Sequence, residues 1–174
     1  MIKKILLALL AIIVVAVVGV LAMGFLKPTY KGTVSVTVNA PAAKTFAVFN
    51  NTDNMGKWMN GFKGIENVSG EKNQVGSKWK LHFTENGREM VIDETVTEFE
   101  QDKHFGFDME DAFAKFHVDV RFEEQNGQTV ISQTSEGAGK GIIARSMIAI
   151  MSGSVQSQQN EMYGKLKTLV ESQP

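Results

Sequence analysis

The chain has 174 residues, a formal net charge of −1 and no cysteine. That length suits a single domain with an appendage. The near-neutral charge removes any case for nucleic-acid binding by bulk electrostatics. The lack of cysteine excludes disulfides, thiolate chemistry and cysteine-ligated metals.

Ile5 to Leu26 is an uninterrupted apolar stretch without a charge. As a helix it is long enough to cross a hydrocarbon core of about 30 Å. Lys3 and Lys4 precede it, and Lys27-Pro28 follows. By the positive-inside rule the short N-terminus stays cytoplasmic and the remainder lies on the exported, periplasmic or extracellular side. Lys27 and Lys31 on the far side act against that bias. A cleaved signal peptide is the rival reading, because Ala22-Met23-Gly24 offers a small-x-small site. The apolar run exceeds the usual signal-peptide core, which favours an uncleaved, single-pass anchor. Residues 1–28 are therefore expected to be the anchor and 29–174 the domain.

Thr33 to Val38 alternates perfectly and predicts a strand. Asn39-Ala40-Pro41 ends it, and Pro41 suits the first turn of a short helix carrying Phe46, Val48 and Phe49. After a break at 50–54, a second short helix or turn carries Met55, Trp58 and Met59. Strand signals then recur. Phe62 to Val68 comes first, and Gly76 to Thr84 follows, with Trp79, Leu81 and Phe83 on one face. Asn86-Gly87 signals a hairpin. The strand from Glu89 to Phe99 has a mixed phase, which suggests a bulge near Asp93-Glu94. Phe105, Phe107 and Met109 alternate, as do Phe116, Val118, Val120 and Phe122. Asn126-Gly127 signals a second hairpin, into Gln128 to Glu136. From about Ala138 to Val170 the chain reads as one long amphipathic helix. Its apolar residues are Ile143, Met147, Met151, Val155, Met162, Leu166 and Leu169/Val170. The expected class is α+β: a curved antiparallel sheet closed by this helix.

In that order of elements the chain resembles the SRPBCC superfamily, the START-related polyketide cyclase and dehydrase group, in its membrane-anchored bacterial type. The residues that carry the resemblance are Asn39-Ala40-Pro41-Ala42, Phe46 to Phe49, the Trp58 segment and Val75-Gly76-Ser77. Glu94-Thr95-Val96-Thr97-Glu98-Phe99 and the terminal helix add to it. It covers about Thr33 to Val170. The resemblance implies the helix-grip fold, a sheet wrapped around a long C-terminal helix. It also implies a cavity for apolar or amphiphilic small molecules, without implying a reaction.

Strand parity puts Trp79, Phe83, Phe105, Phe107, Phe116 and Phe122 on the face toward the helix, and Met147 and Met151 opposite them. They are the candidate ligand wall; the alternative is a filled core. Of the adjacent Asp93 and Glu94, one points inward in a regular strand and would be a candidate acid or base. A bulge would turn both outward, and the cost of burying an unpaired carboxylate favours that. His82, His104 and His117 lack metal-site spacing, and no nucleophile elbow is present, so no cofactor or metal is expected. The glycines of Gly137-Ala138-Gly139-Lys140-Gly141 suit a sharp strand-to-helix turn better than a phosphate loop. Lys140 and Arg145 at that helix start are a candidate lure for an anionic head group.

These features point to a membrane-anchored module holding a hydrophobic or lipid-like molecule. An acid–base enzyme of the cyclase or dehydratase type is the alternative, and a ligand-free interaction domain is the third reading. The ligand's identity and the oligomeric state stay open.

Overall fold

The computed structural model describes residues 2–85 and 87–173. The N-terminal run forms helix α1 (Ile2–Leu26), followed by β1 (Tyr30–Val38), α2 (Ala42–Phe49) and α3 (Thr52–Trp58). Six strands come next: β2 (Phe62–Ser69), β3 (Lys78–Glu85), β4 (Arg88–Glu100), β5 (His104–Glu110), β6 (Ala114–Gln125) and β7 (Gln128–Gly139). Helix α4 (Gly141–Ser172) closes the chain. The seven strands form one antiparallel sheet in the order β1-β7-β6-β5-β4-β3-β2. It is the helix-grip arrangement, α+β in class. The meander from β2 to β7 follows from short hairpins, and β1 closes the far edge against β7.

Local chemistry sets the boundaries. Pro41 (φ −61°) stands just before α2, and its carbonyl accepts the Thr45 amide at 3.0 Å. Asn51 caps α3 by accepting the Asp53 amide at 3.0 Å. Asn126 and Gly127 both have positive φ (53° and 76°) between the paired Gln125 and Gln128. That is the two-residue turn the sequence predicts. Gly87 is also at positive φ (77°), while its neighbour Asn86 lies outside the described residues. Gly141 (φ 84°) turns the chain from β7 into α4. Helix α4 thus starts later than the sequence suggests, because Ala138 and Gly139 still pair with β6.

The bulge expected at Asp93-Glu94 is elsewhere. Residues 88–95 of β4 pair with β3 without a shift, and the irregularity falls between Val96 and Glu98 against β5. One extra residue at Thr97 returns Phe99 to the inner face, which accounts for the mixed phase. As a result, Asp93 points outward, to Lys80 at 2.6 Å, and Glu94 points inward.

The core lies between the concave sheet face, the two short helices and the C-terminal half of α4. Phe46 packs against Phe122 (5.1 Å between ring centroids) and Phe99 (5.9 Å). Phe49 packs against Phe122 (5.2 Å) and stacks on Trp58 (5.5 Å). Leu166 and Val170 of α4 are fully buried there. The C-terminal half of α4 runs along β1. Gln156 donates to the Thr33 carbonyl (2.9 Å), Lys167 to the Thr37 carbonyl (2.7 Å), and Glu171 accepts from the Asn39 amide (2.8 Å).

Candidate ligand-binding site

Between the sheet and the helices lies a cavity of about 560 Å³. Its floor is built by cross-strand rows. Trp79 pairs with Glu94 and Glu94 with Met109; Leu81 pairs with Ile92, Phe83 with Met90, and Val96 with Phe107. Because side chains alternate, every second residue of β3 and β4 faces inward, and the rows form a continuous apolar surface. Met55 and Trp58 of α3 and its cap residue Met59 form one wall, with Gln158, Gln159, Met162 and Tyr163 of α4 beside them. The exposed members of the lining, among them Asn60, Gly61, Glu85, Met90 and Glu161, mark the mouth.

Among the described residues, Glu94 is the one carboxylate deep in this wall, 8% exposed. Burial pushes its carboxyl up to about 7, with no charged or hydrogen-bonding neighbour to offset it. It is thus a group that donates a hydrogen bond below neutrality and carries charge above it. A second polar spot lies across the cavity. The Tyr163 hydroxyl donates to Gln133 Oε1 (2.6 Å), and Gln133 and Gln159 both donate to Ser135 Oγ (2.7 and 3.3 Å). Desolvation holds the Tyr163 phenol far above its usual range, so it stays a neutral donor. The site is an apolar chamber with a few fixed polar groups, the ordinary make-up of a small-molecule pocket.

Of the residues the sequence places on the wall, Trp79, Phe83, Phe105 and Phe107 line the cavity. Phe116 does not. It stands edge-on to Tyr30 (6.0 Å) near the β1 end of the sheet. Phe122 is buried in the core beneath α2. Met147 and Met151 are also elsewhere: they are 44% and 48% exposed, on the N-terminal part of α4, outside the cavity lining. The helix reaches the cavity about two to three turns later, at Gln158 to Tyr163. Sequence reasoning also missed Met90 and Ile92 as wall residues and set Glu94 aside in favour of an outward bulge, although their shared parity with Val96 was a readable signal once β4 was taken as regular.

The outer face of the sheet carries ion pairs. Lys140 Nζ bonds Glu110 (2.7 Å), and Arg145 Nε donates to the Gly139 carbonyl (3.3 Å), so both cations at the start of α4 are engaged. His104 Nε2 contacts Asp119 (2.5 Å) and Glu98 (3.2 Å), a grouping with ligand atoms within 4.8 Å of one another. Arg121 Nε sits 2.9 Å from the other Asp119 oxygen and already supplies a positive charge there. Burial raises the Asp119 carboxyl, but the His104 and Arg121 bonds outweigh it and hold it below the usual range.

The family model described as polyketide cyclase / dehydrase and lipid transport matches residues 29–171. The chain belongs to this family. The matched span is the whole helix-grip domain, from just before β1 to near the end of α4. Among solved structures it resembles Ara h 8.0201, with TM-score 0.66, 17% identity, 83% of this chain and 99% of that one covered. A protein from Chromobacterium violaceum gives TM-score 0.65 and 15% identity over 82% and 98% of the two chains. The di-domain ARO/CYC protein BexL of the BE-7585A biosynthetic pathway gives TM-score 0.65 and 13% identity, over 84% of this chain and 51% of that one. At such identities these likenesses speak to the fold. No curated protein matches the chain in sequence. Family and fold together make this a ligand-binding SRPBCC domain.

Proposed function

We propose that the protein is a membrane-anchored binding module that holds one apolar or amphiphilic, lipid-like molecule in the cavity between β3–β5 and α3/α4. Residues 1–28 are its single-pass anchor, with the N-terminus cytoplasmic and residues 29–174 on the exported side. The observation that carries the reading is the cavity: about 560 Å³, apolar in most of its wall, within the 300–1,000 Å³ typical of ligand pockets. Trp79, Phe83, Phe105 and Phe107 supply contact area. Met55, Met59, Met90, Met109 and Met162 supply a soft, adaptable wall, suited to flexible apolar chains. Glu94 and the Gln133–Tyr163 pair fix a polar end.

A second reading rests on Glu94. A buried carboxyl poised near neutrality in an apolar chamber is what general acid–base catalysis of a cyclisation or dehydration needs. The other deep titratable group, Tyr163, is held neutral by desolvation and donates to Gln133 Oε1, so Glu94 has no partner of opposite proton role, which makes binding the leading reading.

Native mass spectrometry of the detergent-extracted chain tests the proposal. The expected result is one bound apolar molecule per chain, absent from Ile92→Trp, whose indole fills the floor. A wild-type chain that is bare, and that takes up no neutral hydrophobic probe such as N-phenyl-1-naphthylamine, would refute it.

A further inference from the structure

The first three turns of α4 present a surface that the cavity does not use. Ile143, Met147, Ile150 and Met151 recur at helical spacing on one face and are 65%, 44%, 54% and 48% exposed. Arg145 is the only charged residue between Gly141 and Asn160, and its side chain is turned back onto the Gly139 carbonyl. Phe113, 42% exposed, adds to the patch from the β5–β6 turn, where its carbonyl accepts the Lys140 amide at 2.8 Å. Four large apolar side chains in a row on a solvent-facing helix need a cover.

The position of this face says what covers it. These turns of α4 pack on the last turns of α1. Gly24 is buried against Ser146, where any β-carbon would meet Ser146 Oγ and the Ile142 carbonyl at 2.5 and 2.8 Å. The Ser146 hydroxyl lies 3.5 Å from the Leu21 carbonyl. Leu21 sits about 8 Å short of the end of the uncharged run, at 1.5 Å per residue. Ser146 therefore shares the depth of the outer margin of whatever layer α1 crosses. Helix α1 is itself exposed on all sides from Ile2 to Val20, so hydrocarbon that surrounds it reaches the adjoining turns of α4 as well. A polar solvent at that height would wet both helices; a bilayer satisfies both.

We propose that the start of α4, through Ile143, Met147, Ile150 and Met151, rests with Phe113 in the lipid interface of the bilayer that holds α1. The inference rests on the anchor reading above and adds to it: the domain is docked on the membrane, not tethered above it. An apolar helix face lying in the interface is the expected behaviour of such a segment. Because α4 is continuous, the same helix that touches lipid carries the cavity wall at Gln158 to Tyr163, and docking fixes the cavity's height over the membrane.

The native chain has no cysteine, so single-cysteine variants label cleanly. Met147→Cys, Ile150→Cys, Val14→Cys on α1 and Glu123→Cys on β6 would each carry an NBD fluorophore, with the full chain in phosphatidylcholine vesicles. Nitroxide-bearing phosphatidylcholine is then the quencher. The inference predicts blue-shifted emission and loss of signal to the nitroxide at 147, 150 and 14, and neither at 123. Quenching at 14 with none at 147 and 150 would overturn the docking and leave the anchor standing. No quenching at 14 would overturn both. A blue shift at 147 without lipid quenching, together with energy transfer between labelled chains, would mean that a second copy covers the face, and would overturn the docking.

Discussion

The two halves of α4 share one sequence pattern and have opposite fates. From Gln158 onward, Tyr163, Leu166 and Val170 are buried against the sheet and the short helices. From Gly141 to Met151, residues at the same spacing face outward beside α1. Apolar periodicity marks a face that needs a cover and is silent about what the cover is. The sheet covers one half because β1 and β7 run beneath it. The other half packs its inner side on α1 and on the end of β7 at Gly139, and no described element lies over its Ile143–Met151 side.

Truncating one residue in each half separates the two fates most strongly. Leu166→Ala removes a side chain with no exposure and is expected to cost about 2–5 kcal/mol. Met151→Ala, nearly half exposed, is expected to stay within about 0.5 kcal/mol. Denaturant unfolding of both variants in the same detergent measures the pair. Equal costs would mean that the N-terminal half is packed in a way the fold does not show.

The next effect belongs to the cavity. Glu94 has its carboxyl raised from 4.5 to about 7 by burial. The folded state thus holds the proton more tightly than the unfolded chain, and stability falls as pH rises from about 4.5 to about 7. Glu94→Gln removes that loss. It should stabilise the domain by on the order of 2 kcal/mol above pH 7, with the advantage fading toward pH 4.5. Thermal melts at pH 5 and pH 8 check the sign. A gain that is the same at both pH values would remove the buried charge from the account.

A smaller effect is expected at the β6–β7 turn. Gly127→Ala forces a β-carbon onto a residue at φ 76°, at a cost of about 1 kcal/mol. The surface pair of Lys80 and Asp93 should matter least. Lys80→Ala is expected to leave the thermal melt essentially unmoved, because both side chains are substantially solvent-exposed.

Much of the fold was legible because strands and hairpins are local signals. Alternation placed Trp79, Leu81 and Phe83 on one face, and Asn126-Gly127 marked the β6–β7 turn. The site was legible only in part. Parity says which face a residue takes, not where along the curved sheet it lies, so Phe116 and Phe122 were grouped with Phe107 although they pack at other places. Glu94 was set aside on an argument from desolvation cost, and the structure places it inside without a partner; the bulge that would have spared it formed at Thr97. The contributions of Met55, Met59 and Tyr163 depend on how α3 and α4 settle on the sheet, which no local pattern encodes.

The C-terminal half of α4 closes the cavity while the N-terminal half stays outside it. Titration of a neutral hydrophobic probe, N-phenyl-1-naphthylamine, into the detergent-solubilised chain tests this with two tryptophan substitutions. Ile92→Trp, on the cavity floor, is expected to abolish probe binding. Met151→Trp, outside the cavity, is expected to leave it unchanged. Binding lost in Met151→Trp and kept in Ile92→Trp would contradict the account.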